Sequence, residues 1–199
     1  MFIVLEGPDG SGKTTLAQAF TAHLNNKGIN ALYTFEPTTN EKYGQPIRKL
    51  LKKHLVCSPT DLSDLLTADR GEHLSKTILP ALAEGKWVIC DRYKYSALAY
   101  QQSQGIDAAY LIESNRKYLV PDITFILRPK NIDTLLQRIN HRNMPAELFE
   151  KKAFLLQTLE FYDKMPDYFP TEIFCFLNAE NSVPNLIAKM DTFICSKID

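Results

Sequence analysis

The chain has 199 residues, 45% of them hydrophobic, enough for one domain with a sizeable core. Its 23 Lys and Arg balance 23 Asp and Glu, so no net charge draws it as a whole to nucleic acid or to an acidic membrane surface. The N-terminus lacks the order of a signal peptide and no apolar run is long enough to span a bilayer, so the expected setting is the cytoplasm, with neither membrane nor nucleic acid as a partner.

The first element is an apolar run, Phe2-Ile3-Val4-Leu5, read as a strand that empties into Gly7-Pro8-Asp9-Gly10-Ser11-Gly12-Lys13-Thr14-Thr15. This is a P-loop, G-x-x-x-x-G-K-[ST], between a strand and a helix. Glycines at both ends let the backbone curl until successive N–H groups and the positive end of the next helix face one anion. Phosphate suits that shape. Lys13 is placed to reach the outer phosphates of a nucleoside triphosphate, and the Thr14 hydroxyl to hold the magnesium that travels with it. Apolar residues at Leu16, Ala19, Phe20 and Leu24 carry the helix from Lys13 to about Asn26, where Lys27-Gly28 stops it.

Ala31–Phe35 reads as a strand that ends at Glu36-Pro37, because the residue before a proline leaves the helical region. A short helix, about Gly44 to His54, follows with a basic face of Arg48, Lys49, Lys52 and Lys53. Ser58-Pro59-Thr60 starts a long helix over Asp61 to Glu84, with bends expected near Gly71 or at Pro80. Trp87–Asp91 is a buried strand with a carboxylate at its tip. Helices over Tyr93–Gln104 and Ala108–Leu119 lead to a strand at Ile123–Leu127 and a helix at Asn131–Ile139. His141–Ala146 interrupts the pattern, which resumes from Glu147 to Asp163 until Pro166 and Pro170 close it. Glu172–Phe176 is the last strand and Val183–Ile194 the last helix.

Five strands alternating with helices predict an α/β domain of the P-loop NTPase fold: a five-stranded parallel sheet with helices on both faces and a helical lid over about residues 138–150. One domain, 1–199, is expected. Right-handed crossovers bring the loops after Phe35, Asp91 and Leu127 to the sheet edge that carries the P-loop. Cys57, Cys90, Cys175 and Cys195 are widely spaced without a C-x-x-C pair, so buried free thiols are expected rather than zinc or disulfides.

Asp91, at the end of an apolar strand, is a carboxylate able to hold magnesium directly or through water. Arg92 beside it presents a guanidinium fork across the crevice from Lys13, suited to gripping a second phosphorylated molecule, a grip that a hydrolase does not need. The plain alternative is a salt bridge capping a helix. Arg138 and Arg142 lie four apart on one helical face, where a lid would swing them over a transferring phosphoryl group; the alternative is a solvated helix end.

With these residues in view, the sequence resembles the thymidylate kinases over nearly its full length, most closely their archaeal and bacterial members. The matching pieces are Glu6 through Thr15, Glu36-Pro37-Thr38, Ile47-Arg48-Lys49-Leu50, Ala68-Asp69-Arg70-Gly71-Glu72-His73-Leu74, and Asp91-Arg92-Tyr93 with Ser96 and Leu98-Ala99-Tyr100-Gln101. The resemblance implies a homodimeric enzyme that transfers the γ-phosphoryl group of ATP to dTMP with Mg2+, giving dTDP on the way to dTTP. It implies that Gly7, Pro8, Asp9, Gly10, Ser11, Gly12, Lys13, Thr14 and Thr15 bind ATP, that Thr14 and Asp91 serve the metal, and that Lys13, Arg92, Arg138 and Arg142 are catalytic. The acceptor would meet Asp9 at its 3′-hydroxyl, Arg48 and Arg92 at its phosphate, and Arg70 and Gln101 at the polar edge of the base, with Glu36, Pro37, Leu66, Ser96 and Tyr100 completing the pocket. Gly10 stands where one branch of the family has arginine, so the lid pair would supply that charge.

The chain departs from the family at Phe35, where many members have arginine, at Leu66, where a phenylalanine usually stacks on thymine, and at Ala97, where a second serine is common. Losing an aromatic face costs about 0.5 to 1.5 kcal/mol beyond area, and Phe35 is expected to restore some of that contact from the other side. Three other readings stay open, the first a kinase of the same mechanism for another nucleoside monophosphate. A deoxynucleoside kinase would share the P-loop but accept an uncharged hydroxyl, with Glu36 as its base. A non-catalytic ATP-binding sensor would keep the loop without the transfer.

Overall fold

A computed structural model describes residues 1–53, 57–140 and 152–198. Five strands, β1 (Phe2–Glu6), β2 (Ala31–Phe35), β3 (Trp87–Asp91), β4 (Ile123–Arg128) and β5 (Phe174–Asn178), form one parallel sheet in the order β2-β3-β1-β4-β5. β1 is its centre, with Leu5 level with Asp91 on one side and with Phe125 on the other. This is the P-loop NTPase arrangement expected from the alternation of strands and helices.

β1 carries an apolar residue at every position from Phe2 to Leu5 because both of its faces are covered. Phe2 and Val4 point to one core with Val88, Cys90 and Ile126, under α3 (Pro59–His73) and α5 (Lys94–Gln102). Ile3 and Leu5 point to the other with Ile89 and Phe125, under α1 (Lys13–Asn26) and α10 (Val183–Ile198). The strand period of two thus divides one apolar run between two layers. The helix after β1 and the helix after β3 lie on opposite faces of neighbouring strands, which opens a crevice at their carboxyl ends.

The long helix expected over 61–84 is continuous but not uniform. Between α3 and α4 (Leu79–Ala83) lies a π-helical turn, Leu74–Ile78, in which the Leu79 N–H reaches back to the Leu74 carbonyl. Pro80 supplies the reason, since it cannot donate within the turn before it and its ring crowds the carbonyl four residues back; the irregularity precedes the proline rather than falling at Gly71. β5 begins two residues later than expected. Its register sets Thr124 against Phe174, while Glu172 takes a hydrogen bond from Lys94 Nζ at 2.6 Å and another from the Tyr95 hydroxyl. α8 (Lys152–Asp163) ends where expected, and Pro166 lies in the first turn of a short further helix, α9 (Met165–Tyr168). Among the described residues the remaining helices are α2 (Gly44–Lys53), α6 (Ala108–Asn115) and α7 (Ile132–Asn140).

All four cysteines are free, but only Cys90 is buried: Cys57 and Cys175 are half-buried and Cys195 is exposed. Among the described residues no helix is long and apolar enough to cross a membrane.

Candidate active site

The P-loop is held by close packing as much as by its own turns. Gly7 has φ +138°, and a Cβ there would stand 2.5 Å from the Leu127 carbonyl oxygen, so only glycine lets the tips of β1 and β4 approach. Gly10 has φ +81°, and its Cβ would stand 3.0 Å from the Leu135 carbonyl oxygen and 3.1 Å from Ile139, which shows α7 packed directly on the loop. Lys13 Nζ donates to the Pro8 carbonyl at 2.8 Å. Burial pushes the lysine down to about 8; Arg92 adds to that, while Asp9, Asp91 and Glu6 oppose it. Gly12, the N-cap of α1, has no side chain to cap the helix, and the first turn holds no acidic residue, so its free N–H groups and positive dipole are left for an anion.

Across the crevice the Thr14 hydroxyl donates to Asp91 Oδ2 at 2.5 Å. Asp91 Oδ1 is buried and has no hydrogen-bond partner among the described residues. An orphaned carboxylate oxygen beside a threonine hydroxyl is a hard oxygen set, and it fits a Mg2+ ion carried by a nucleotide.

Arg92, one residue past β3, has φ 73°, the left-handed region that side chains rarely occupy. That backbone turn aims its guanidinium back over the loop. Nη1 donates to the Gly7 carbonyl at 3.3 Å and to Ser96 Oγ at 3.1 Å; Nη2 donates to Tyr100 Oη at 3.2 Å and is paired with Asp9. The guanidinium also lies 5.1 Å over the Tyr100 ring.

Two cavities meet at Asp9 and Arg92, which line both. The outer, about 410 Å³, is also lined by Thr14, Phe35, Arg48 and Asp91, and the inner, about 110 Å³, by Leu66, Arg70, Ala97 and Gln101. Glu36 and Pro37 form the wall between them. Arg70, 2% exposed, donates from Nε to Glu36 Oε2 at 2.9 Å and from Nη1 to Asn115 Oδ1 at 2.5 Å. The other oxygen of Glu36 lies 3.1 Å from His73 Nδ1, so both oxygens are engaged and Glu36 is not a free base. Gln101, 1% exposed, leaves its Oε1 buried at the chamber wall without a partner among the described residues, an acceptor waiting for a donor. Arg48 donates to the Pro37 and Thr38 carbonyls at 2.6 and 2.9 Å, and Asp69 accepts from Thr38 N–H at 2.8 Å, fixing the loop after β2 from two sides.

Phe35 does not reach the inner chamber with Leu66. It lines the outer cavity, where the Arg48 guanidinium lies 5.0 Å over its ring and Tyr33 packs at 5.8 Å, so in this structure its ring supports an arginine. Arg138 donates to the Ala179 carbonyl at 3.0 Å, beyond β5, and lines neither cavity. Arg142 and most of the expected lid, 138–150, lie outside the described residues. Glu6, Asp69, His73, Asn115 and Tyr162 also belong to the site or its supports, and spacing along the chain assigns none of them a role. Glu6, Asp69 and His73 fall in matching motif pieces, but only the folded chain shows what they touch.

A sequence profile of the Thymidylate kinase family matches residues 5–190. The chain belongs to the thymidylate kinase family. It is 42% identical over 155 residues to the thymidylate kinase of Brachyspira hyodysenteriae, covering 77% of this chain and 74% of that one. It is likewise 42% identical over 175 residues to a probable thymidylate kinase of Pyrococcus horikoshii, covering 85% and 84%, and 37% identical over 194 residues to one of Thermococcus gammatolerans, covering 94% and 91%. Membership in the thymidylate kinase family makes the protein a nucleoside monophosphate kinase, a phosphotransferase that uses ATP. The resemblance read from the motifs, to archaeal and bacterial thymidylate kinases, is borne out.

Proposed function

We propose that the protein transfers the γ-phosphoryl group of ATP to dTMP, giving dTDP, in the cytoplasm and as a homodimer. The observation that carries this reading is Arg92: it stands where the two cavities meet, facing the P-loop on one side and the inner chamber on the other. A hydrolase needs no such arginine.

In this reading the triphosphate lies on the P-loop and the start of α1, with Lys13 leaving the Pro8 carbonyl for the outer phosphates. Thr14 and Asp91 would hold Mg2+, which when bound neutralises charge on the transferring group. Arg92 exchanges Asp9 for the acceptor phosphate, helped by Arg48, and the released Asp9 accepts from the 3′-hydroxyl. Arg70 donates to the base and the orphaned Gln101 oxygen takes a ring N–H, as a thymine edge offers. Transfer then needs positioning and charge rather than a base, and an arginine brought to the phosphoryl group adds roughly three to five powers of ten in rate. Arg138, once released from Ala179, and Arg142 are the candidates, on a lid over about 138–150 of a single catalytic unit, 1–199.

The test is a coupled ADP-release assay with ATP and Mg2+ against dTMP, dUMP, dGMP, dCMP, AMP and thymidine, beside a control without acceptor. Turnover favouring dTMP is expected. Turnover of thymidine would give the nucleoside-kinase reading, and silence on every acceptor with ATP still bound would give the sensor.

A further inference from the structure

Glu6, the last residue of β1, is fully buried directly beneath the P-loop. Its Oε1 accepts from the N–H groups of Tyr93 at 2.8 Å and Ser96 at 3.0 Å, at the start of α5, where the N-cap residue Tyr93 makes no side-chain cap of its own. A carboxylate from another strand therefore caps this helix and sits in the positive field of its dipole. Its Oε2 accepts from the hydroxyls of Ser96 at 2.6 Å and Tyr162 at 2.8 Å. Burial raises the Glu6 carboxyl above its ordinary range, and Arg92, then these hydrogen bonds, pull it back.

The direction of the Ser96 bond matters. A serine hydroxyl has one proton; given to Glu6, it leaves lone pairs facing outward, where Arg92 Nη1 donates at 3.1 Å. Tyr162 Oη is 3.2 Å from the same Ser96 oxygen, and its ring packs edge-on against Tyr100 at 6.5 Å, the ring that underlies Arg92. Glu6 thus fixes one side of the guanidinium, while Asp9, on the other side, is the partner that a phosphate can replace.

We infer that Glu6 is a positioning residue for Arg92, holding the guanidinium through Ser96 and Tyr162 so that recognition of the acceptor's phosphate depends on a carboxylate that touches neither substrate. The inference rests on the acceptor being a nucleoside monophosphate. Glu6→Gln separates it from a purely structural role, because the amide oxygen keeps the α5 cap while the amide nitrogen, a donor, reverses the link to Ser96. Tyr162→Phe weakens the same link without touching the cap.

The experiment measures KM for dTMP and for ATP, and the inhibition constant of thymidine, in wild type, Glu6→Gln and Tyr162→Phe. Glu6→Gln is expected to raise KM for dTMP by about tenfold or more, the scale of a disturbed hydrogen bond to a charged group, and Tyr162→Phe by a few-fold. Thymidine inhibition stays unchanged, and KM for ATP moves far less than KM for dTMP when measured well below the Lys13 titration near 8, where loss of the Glu6 charge leaves that lysine protonated. Equal losses for dTMP and thymidine, or an equal loss for ATP, would overturn the inference. If Glu6→Gln fails to fold by circular dichroism, Tyr162→Phe decides on the same criterion. Wild type inactive on every monophosphate would instead sink the proposed function, and preference for another monophosphate moves the comparison to that one and its nucleoside.

Discussion

Thr14 and Asp91 meet across the crevice, the hydroxyl on one carboxylate oxygen at 2.5 Å and the other oxygen buried without a partner among the described residues. The pair joins the start of α1 to the tip of β3, two elements far apart in sequence that only the parallel pairing of β1 and β3 brings together.

Asp91→Asn keeps the shape of that contact and removes its charge. The magnesium concentration for half-maximal activity is expected to rise about ten- to a hundredfold, the usual range for disturbing a metal's supporting groups. A magnesium titration at saturating ATP and dTMP measures it; an unchanged titration would remove Asp91 from the metal site.

Lys13 gives a pH dependence with a definite sign. Held near 8 in the free protein, it is charged below that value and neutral above it, so kcat/KM for ATP falls above about pH 8. Lys13→Arg, if it binds ATP at all, loses this limb because a guanidinium does not deprotonate. Stability moves the other way. The unfolded chain keeps this proton up to about 10.5 and the folded chain does not, so between about 8 and 10.5 this residue makes stability rise with pH.

Glu36→Ala would leave Arg70, 2% exposed, as a buried charge without its anion. Breaking such a pair costs about 3 to 5 kcal/mol, readable in urea unfolding. Glu36→Gln, which retains an acceptor for Arg70, is expected to be milder. Thymidine turnover should stay at background in the wild type and in both variants. Turnover in the wild type that Glu36→Gln abolishes would restore Glu36 as a base.

Phe35→Ala removes the ring beneath Arg48. A cation–π contact at a partly exposed site is worth about 0.5 to 1 kcal/mol, so KM for dTMP should rise roughly two- to fivefold. Thymidine inhibition should not change. In a double-mutant cycle with Arg48→Lys the two effects should be less than additive. A shift in thymidine inhibition would mean that Phe35 touches the base after all.

Much of this architecture was legible in the sequence because the strands announce themselves. β2 and β3 have the bounds read from their apolar runs, and the P-loop fixes which sheet edge matters. β5 was misplaced because Ile173 and Phe174 belong to one apolar run, and only pairing with β4 decides where the strand begins. The π-helical turn was out of reach, since apolar spacing cannot tell a bend from an extra residue in a turn. Of the candidate site, the residues of local motifs, Lys13, Thr14, Asp91 and Arg92, were readable from spacing. Glu6 and Tyr162 were not, because they lie 156 positions apart and act by a contact that no local pattern encodes. The pairing of Phe35 with Arg48 was hidden for the same reason: the neighbours of Phe35 on the chain do not say that Arg48 will cover its face.

The contact of α7 with Gly10 bears on where a charge that serves this loop can come from. Where the other branch carries an arginine in the loop, this chain has the Leu135 carbonyl 3.0 Å from where a Cβ would begin and Ile139 at 3.1 Å, over a backbone at φ +81°. Backbone cannot yield as a side-chain tip can. An arginine at position 10 would therefore require α7 to shift. In this chain, therefore, the seat of α7 keeps position 10 a glycine, so any charge that serves a phosphate on this loop has to reach it from another element.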